Sequence, residues 1–244
     1  MPASRVLKPV LAAPRWLAYF VYLPDGQLLP QHHFTLRRLR EHGLPLLVIA
    51  ASPSPDQVPP ELHTAADALA WKALPGYDFS AYRLIWSLLA EHSPGADVLL
   101  LNDSVLGPFS DLTPFIDRAR WSLTGFTASA EYGNHVQSYA MVLRDVRPSL
   151  LKALTPLFRF GRCLQSFDDV VLAQEVQLSR VMARTISVGS LWWSPGNATL
   201  EQPFALLDQG YPFLKRALID KHRAKQDERL VRARLKKAGH PHTG

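Results

Sequence analysis

Cysteine is almost absent from this chain: Cys163 is the single one among 244 residues. One thiol cannot close an internal disulfide, which argues against a disulfide-stapled extracellular fold and for a reducing compartment. Cys163 itself reads as a small apolar residue rather than a reactive thiol. Long hydrophobic runs are missing too. The longest near the N-terminus, Trp16 to Leu23, is far too short to cross a bilayer. Flanked by Pro14-Arg15 and Pro24-Asp25-Gly26, it reads as a first core strand rather than a signal peptide. There is no zinc-finger spacing, no aromatic RNA-binding box, no internal repeat and no low-complexity tract. Nucleic acid is therefore not the expected partner, and a cytoplasmic protein is expected.

What is present is enough apolar material for a core. Hydrophobic residues make up 47% of the chain, which suits one α/β domain of this length. The net charge of +6 is localised. From Lys215 onward lie ten Lys and Arg but only three Asp and Glu, leaving 17 basic and 18 acidic residues in the body. We therefore divide the chain into a domain over 1–219 and a basic tail over 220–244. The tail reads either as a solvated terminal helix or as a segment that meets anionic lipid headgroups, a peripheral contact with an inner membrane.

Along the chain, strands are expected at Trp16–Leu23 and Leu44–Ala51, with a helix over Gln31–His42 that ends at Gly43. SPSPDQVPPE (52–61) reads as a surface loop, and Tyr82–His92 carries the apolar spacing of one helix face. The run Val98-Leu99-Leu100-Leu101 then stops at Asn102-Asp103-Ser104. Such a run fits a strand buried on both faces of a parallel sheet, and ligands of open α/β sheets bind just beyond the carboxyl ends of such strands. The tripeptide is equally a simple turn in which Asp103 bonds its own backbone. Further strands are expected near Trp121–Ser129, Ser138–Leu143 and Ile186–Trp193. Helices are expected over Pro148–Phe160 and Asp168–Met182, the latter with acids early and Arg180 late, as the helix dipole favours. This order marks a single α/β domain with a largely parallel sheet.

Five peptides then occur in a telling order: GYDFSAY (76–82), LLLNDSVLGPFSDL (99–112), HVQSYAMVLR (135–144), QEVQLSRVM (174–182) and YPFLKRALI (211–219). Together they resemble the rhamnan synthesis protein F family, which is associated with bacterial surface polysaccharide synthesis. The resemblance spans about Trp16 to Ile219. It implies a GT-A-like (Rossmann-like) glycosyltransferase that moves a deoxyhexose, rhamnose, from a nucleotide-diphosphate sugar to a growing glycan or lipid-linked acceptor. The alternative is a non-catalytic subunit that binds nucleotide or glycan within an assembly complex. A phosphohydrolase would need more clustered His and Asp ligands than the sequence shows.

The resemblance also implies roles for particular residues. Asn102, Asp103 and Ser104 stand where such enzymes present an Asp-rich strand end to the donor, and Asp103 either ligates Mg²⁺ or Mn²⁺ or binds the donor without a metal. One carboxylate stands here where two are usual. Asp78 belongs beside the donor or caps its helix, and Leu74 replaces an Asn of the family pattern. Glu175 is the first candidate for the base that takes the acceptor's proton, although Val176 replaces the acid expected next to it. His135 and Glu131 are the alternatives. Gln137 and Ser138 shape the donor or acceptor pocket or satisfy local backbone. Trp192 and Trp193 either stack on sugar faces or pack the core.

Overall fold

The structure, a computed structural model, describes residues 2–158, 164, 166–220 and 226–241. Cys163 and the last two residues of the expected Pro148–Phe160 helix lie outside the described residues.

The chain begins with β1 (Ser4–Lys8), β2 (Arg15–Tyr22), α1 (Pro30–Arg40), β3 (Leu46–Ala51), α2 (Pro60–Ala65), β4 (Ala68–Lys72) and α3 (Tyr77–His92). It continues through β5 (Ala96–Asn102), β6 (Val105–Leu106), α4 (Thr113–Arg118), β7 (Leu123–Ser129), β8 (His135–Val136) and β9 (Ala140–Val146). α5 (Pro148–Leu154) precedes α6 (Phe167–Val170), a π-helical turn at Val171–Glu175 and α7 (Val176–Met182). β10 (Val188–Ser194), α8 (Ala198–Glu201), α9 (Pro203–Asp208), β11 (Leu214–Lys215) and α10 (Glu228–Lys237) complete the chain.

Among the described residues, nine strands form the main sheet, in the order β1-β4-β3-β2-β5-β9-β7-β10, with β8 beside β7. β4, β3, β2 and β5 run parallel, β9 runs against β5 and β7, and β10 is parallel to β7. Helices cover both faces. Val98 and Leu100 of β5 face Phe79, Ile85, Trp86 and Leu89 of α3 and Leu178 of α7. Leu99 and Leu101 face the opposite layer, with Leu36 and Leu39 of α1 and Phe115 of α4. Double-sided burial is what the unbroken apolar run required. The fold is thus the α/β class expected, a mostly parallel sheet flanked by helices.

Several boundaries moved. β1 and β4 were not foreseen: ALAWK is short, and its alanines carry little hydrophobic signal. The expected loop at 52–61 contains a 3₁₀ turn at Pro55–Gln57 and the start of α2. α3 begins five residues before the expected Tyr82, at a Gly76-Tyr77 pair whose φ values are 94° and 47°. A left-handed tyrosine is unfavourable by about 1–2 kcal/mol, and here it sits one residue before Asp78.

The basic tail does not stand apart from the body throughout. Val231 and Leu235 of α10 are buried against Leu106, Leu214 and Leu218, a contact that stabilises by about 1.5–3 kcal/mol for each such side chain. Among the described residues no helix is long and apolar enough to cross a membrane.

Candidate functional site

The four parallel strands that begin the domain fix where a ligand belongs. β3 and β4 are added on one side of β2, and β5 on the other, so the strand order reverses between β2 and β5. In open α/β sheets the crevice at the carboxyl end of that reversal is the ligand site. β2 ends there at Tyr22, and β5 ends at Asn102.

The turn after β5 is made by Asn102, not by Asp103. The Asn102 side-chain carbonyl accepts the Ser104 N–H at 3.1 Å and the Ser104 hydroxyl at 2.5 Å, the geometry of an Asx turn. The Asp103 side chain takes no part in that turn. Its Oδ2 crosses to the neighbouring strand end and accepts the Tyr22 N–H at 3.2 Å.

The other half of Asn102 opens a polar chain across the crevice. Its Nδ2 donates to Asp78 Oδ2 at 2.9 Å and to the Tyr82 hydroxyl at 2.8 Å. Tyr82 donates to the Ser138 carbonyl at 3.0 Å. Ser138 in turn gives both its N–H, at 3.0 Å, and its hydroxyl to Glu175 Oε2. Burial, and then the charge of Glu175, push the Asp78 carboxyl up to about 6, with Lys215 opposing. Glu175 closes the π-helical turn, a distortion of the ladder that recurs at functional sites. Its Oε1 lies 3.9 Å from His135 Nε2, and the imidazole is nearly buried at 4% exposure. His135 Nδ1 is 2.8 Å from the Gly133 carbonyl, so Nδ1 carries a proton and Nε2 is the ring nitrogen turned toward Glu175.

Two cations arrive from more than a hundred residues away. β6 and β11 pair antiparallel, with Lys215 opposite Val105, and the Arg216 N–H donates to the Ser104 carbonyl at 2.9 Å. Lys215 Nζ donates to Ser104 Oγ at 3.3 Å and stands 3.6 Å above the Tyr139 ring. Burial pulls its ammonium down to about 8 against the favourable charges of Glu175 and Asp78. Arg216 approaches Asp103 Oδ2 at 3.4 Å and Asp220 at 3.5 Å. His32, on α1, completes this end. Its Nδ1 accepts the Leu29 N–H at 3.1 Å, and its Nε2 lies 3.7 Å from Asp103 Oδ2 without a hydrogen bond among the described residues. Burial, and then Arg216, lower the imidazole to about 4.

This donor set does not suit Mg²⁺ or Mn²⁺ at Asp103. The groups against that carboxylate are an amide N–H, a guanidinium and the Nε2 of an imidazole whose Nδ1 lone pair is taken by the Leu29 N–H, so in the neutral ring none of them turns a free lone pair toward a divalent ion. Among the described residues no three His, Cys, Asp or Glu side chains converge as metal ligands.

No family model matches the chain, and no curated protein matches it. Solved structures do. A 4-diphosphocytidyl-2C-methyl-D-erythritol synthase from Anaerococcus prevotii is 11% identical, with 73% of this chain and 87% of that one covered at a TM-score of 0.45. HddC from Yersinia pseudotuberculosis is 8% identical over 73% of this chain and 90% of its own, also at 0.45. The galactosyltransferase LgtC, solved with donor and acceptor sugar analogs, is 12% identical over 75% and 74% at 0.41.

Of the residues singled out in the sequence, Asp78, Asn102, Ser138 and Glu175 form one hydrogen-bonded chain. Asp103 and Ser104 lie at its cationic end, and His135 at its other end. Gln137 is engaged elsewhere: its side-chain carbonyl accepts the Thr127 hydroxyl at 2.7 Å, in a buried network with Tyr139 and Tyr211. Trp192 packs on Phe115 and Tyr211, whereas Trp193 is 61% exposed and donates to Asn134. Glu131 lies in the β7–β8 connection, where its N–H donates to Ser129 Oγ. Tyr82, His32, Lys215 and Arg216 were missed. The Lys-Arg of YPFLKRALI was visible, but its charge was counted with the tail.

Proposed function

We propose that this chain is a GT-A-like glycosyltransferase taking a nucleotide-diphosphate sugar as donor and a glycan or lipid-linked glycan as acceptor. The deoxyhexose rhamnose, the sugar implied by the rhamnan synthesis resemblance, is the donor sugar proposed. One observation carries the reading: the switch-point crevice has two chemically distinct ends joined by a single polar chain. Lys215 and Arg216 supply positive charge at one end, and the Glu175–His135 pair supplies a proton acceptor at the other. That division is what sugar transfer requires. The acceptor oxygen bonds to the anomeric carbon and loses its proton to Glu175. The bond from that carbon to the diphosphate breaks, its electron pair staying on the departing nucleoside diphosphate. Asp78 meets the donor between the two ends, with Asn102 positioning its carboxylate and Ser104 positioning Lys215.

Incubating the full chain with nucleotide-rhamnose donors and rhamnose-containing or lipid-linked acceptors tests this directly. Release of nucleoside diphosphate that depends on acceptor is expected. Tight nucleotide binding with no turnover on any acceptor would instead favour a non-catalytic subunit.

The acceptor's carrier bears on the tail. Arg229, Lys236 and Lys237 are exposed on α10, opposite its buried Val231 and Leu235. We place an anionic bilayer against them, at about 1 kcal/mol per basic residue. Reversing all three to Glu should weaken binding to phosphatidylglycerol vesicles at low salt at least tenfold and leave nucleotide binding intact. Unchanged vesicle affinity would rule out this contact. Charge reversal is the cleaner test, because deleting α10 would also expose Leu106 and Leu214.

A further inference from the structure

Building on the transferase reading, we infer that Lys215 and Arg216 take the place of a divalent cation at the donor's diphosphate. The departing group gathers negative charge as its bond to the sugar breaks, and something at the strand end must balance it. Asp-rich strand ends recruit a metal for this purpose. Here Asn102 and Ser104 are spent on their own turn, and the one remaining carboxylate faces cations.

The two cations are built into the site. Leu214 is buried on one side of them and Leu218 on the other, both packed against Val231 and Leu235 of α10. The strand pairing to Val105 and Leu106 holds their backbone, and the Tyr139 ring lies beneath the ammonium. Their contacts are nevertheless loose. Arg216 meets its two carboxylates at 3.4 and 3.5 Å, longer than the 2.7–2.9 Å of a close charge-assisted bond. Lys215 directs a donor to Ser104 at 3.3 Å. Both retain donor capacity that phosphate oxygens would fill.

A second, independent observation marks the same spot. His32 is 1% exposed, and its Nε2 reaches toward Asp103 without a hydrogen bond among the described residues. In the neutral ring that atom bears a proton, because Nδ1 accepts from Leu29. A buried N–H left without an acceptor costs stability unless a ligand supplies one. Asp103 thus acts as a positioning residue that holds Arg216 and Tyr22, rather than as a metal ligand.

The test is a calorimetric titration of the full chain with uridine, guanosine and thymidine diphosphates, in EDTA and then in Mg²⁺ or Mn²⁺. We expect at least one of them to bind in EDTA within about threefold of its affinity with metal. Lys215→Met, which keeps the buried stem, and Arg216→Gln should each weaken that binding about ten- to a hundredfold. Inorganic pyrophosphate should compete in EDTA with the unaltered protein, a readout that does not depend on any variant folding. Binding that vanishes in EDTA and returns with metal would overturn the inference while leaving the transferase reading in place. Absence of binding under both conditions, with no consumption of nucleotide sugar, would overturn both.

Discussion

Replacing Glu175 by Gln is expected to lower sugar transfer by about 10²- to 10⁴-fold, the usual contribution of a positioned general base. Nucleoside diphosphate affinity should change far less, because among the described residues Glu175 bonds to neither Lys215 nor Arg216 and acts on the Lys215 ammonium only through its charge. The substitution is nearly silent in shape. A Gln carbonyl keeps the bonds that Ser138 donates to Oε2. Its amide then faces Nε2 of His135, across a gap that is 3.9 Å in the native pair. What disappears is the ability to take a proton. The separation of turnover from binding is therefore diagnostic. Full turnover in Glu175→Gln, with loss in His135→Gln, would move the role to the imidazole.

The second large effect is on stability, and its sign is unusual for an aspartate. Asp78 is pushed up to about 6 by burial and by Glu175, against an unfolded value near 4. Between those pH values the native state holds a proton that the unfolded chain has lost. Stability contributed by Asp78 is therefore fully present below about pH 4 and is lost as pH rises through 6. Asp78→Asn abolishes that titration. The variant's stability relative to the native chain should improve by about 2 kcal/mol between pH 4 and pH 7.5. Denaturant unfolding at the two pH values measures it, and any constant cost of altered bonds to Asn102, Tyr82 and the Phe79 N–H cancels from the difference. Lys215, facing the same carboxylate, titrates too high to contribute over most of this range. A difference that stays flat with pH would refute the assignment. At pH 7 the charge that weakens the fold is the one proposed to meet the donor, a trade of stability for function.

Much of the frame was legible before any coordinates. The apolar run at Val98–Leu101 announced a strand buried on both sides, and the helical spacing of Leu84, Ile85, Leu88 and Leu89 announced most of α3. Asp168 and Asp169 early and Arg180 late marked the two ends of a helix whose π-helical turn no pattern reveals. β4 was lost because its two alanines and single lysine carry too little apolar contrast, although it completes the strand order that locates the crevice.

The strand end at Asn102-Asp103-Ser104 shows where local reasoning stops. Residue types placed an Asx turn there, because a short polar side chain following a strand bonds the backbone two residues on. Nothing local decided that Asn102 would make it and leave Asp103 to reach across to Tyr22. That depended on β2 lying beside β5. The same limit hid Lys215 and Arg216. Composition assigned them to a basic tail, since charge counting knows only position along the chain. Pairing of β11 with β6, a register set by packing of Leu106, Leu214 and α10, brought them to Ser104 from 111 residues away. The sequence by itself thus determined the elements and the chemistry available at one strand end. Only the tertiary structure decided which charges meet there, because long-range pairing and burial, rather than neighbours in the chain, set a side chain's partners.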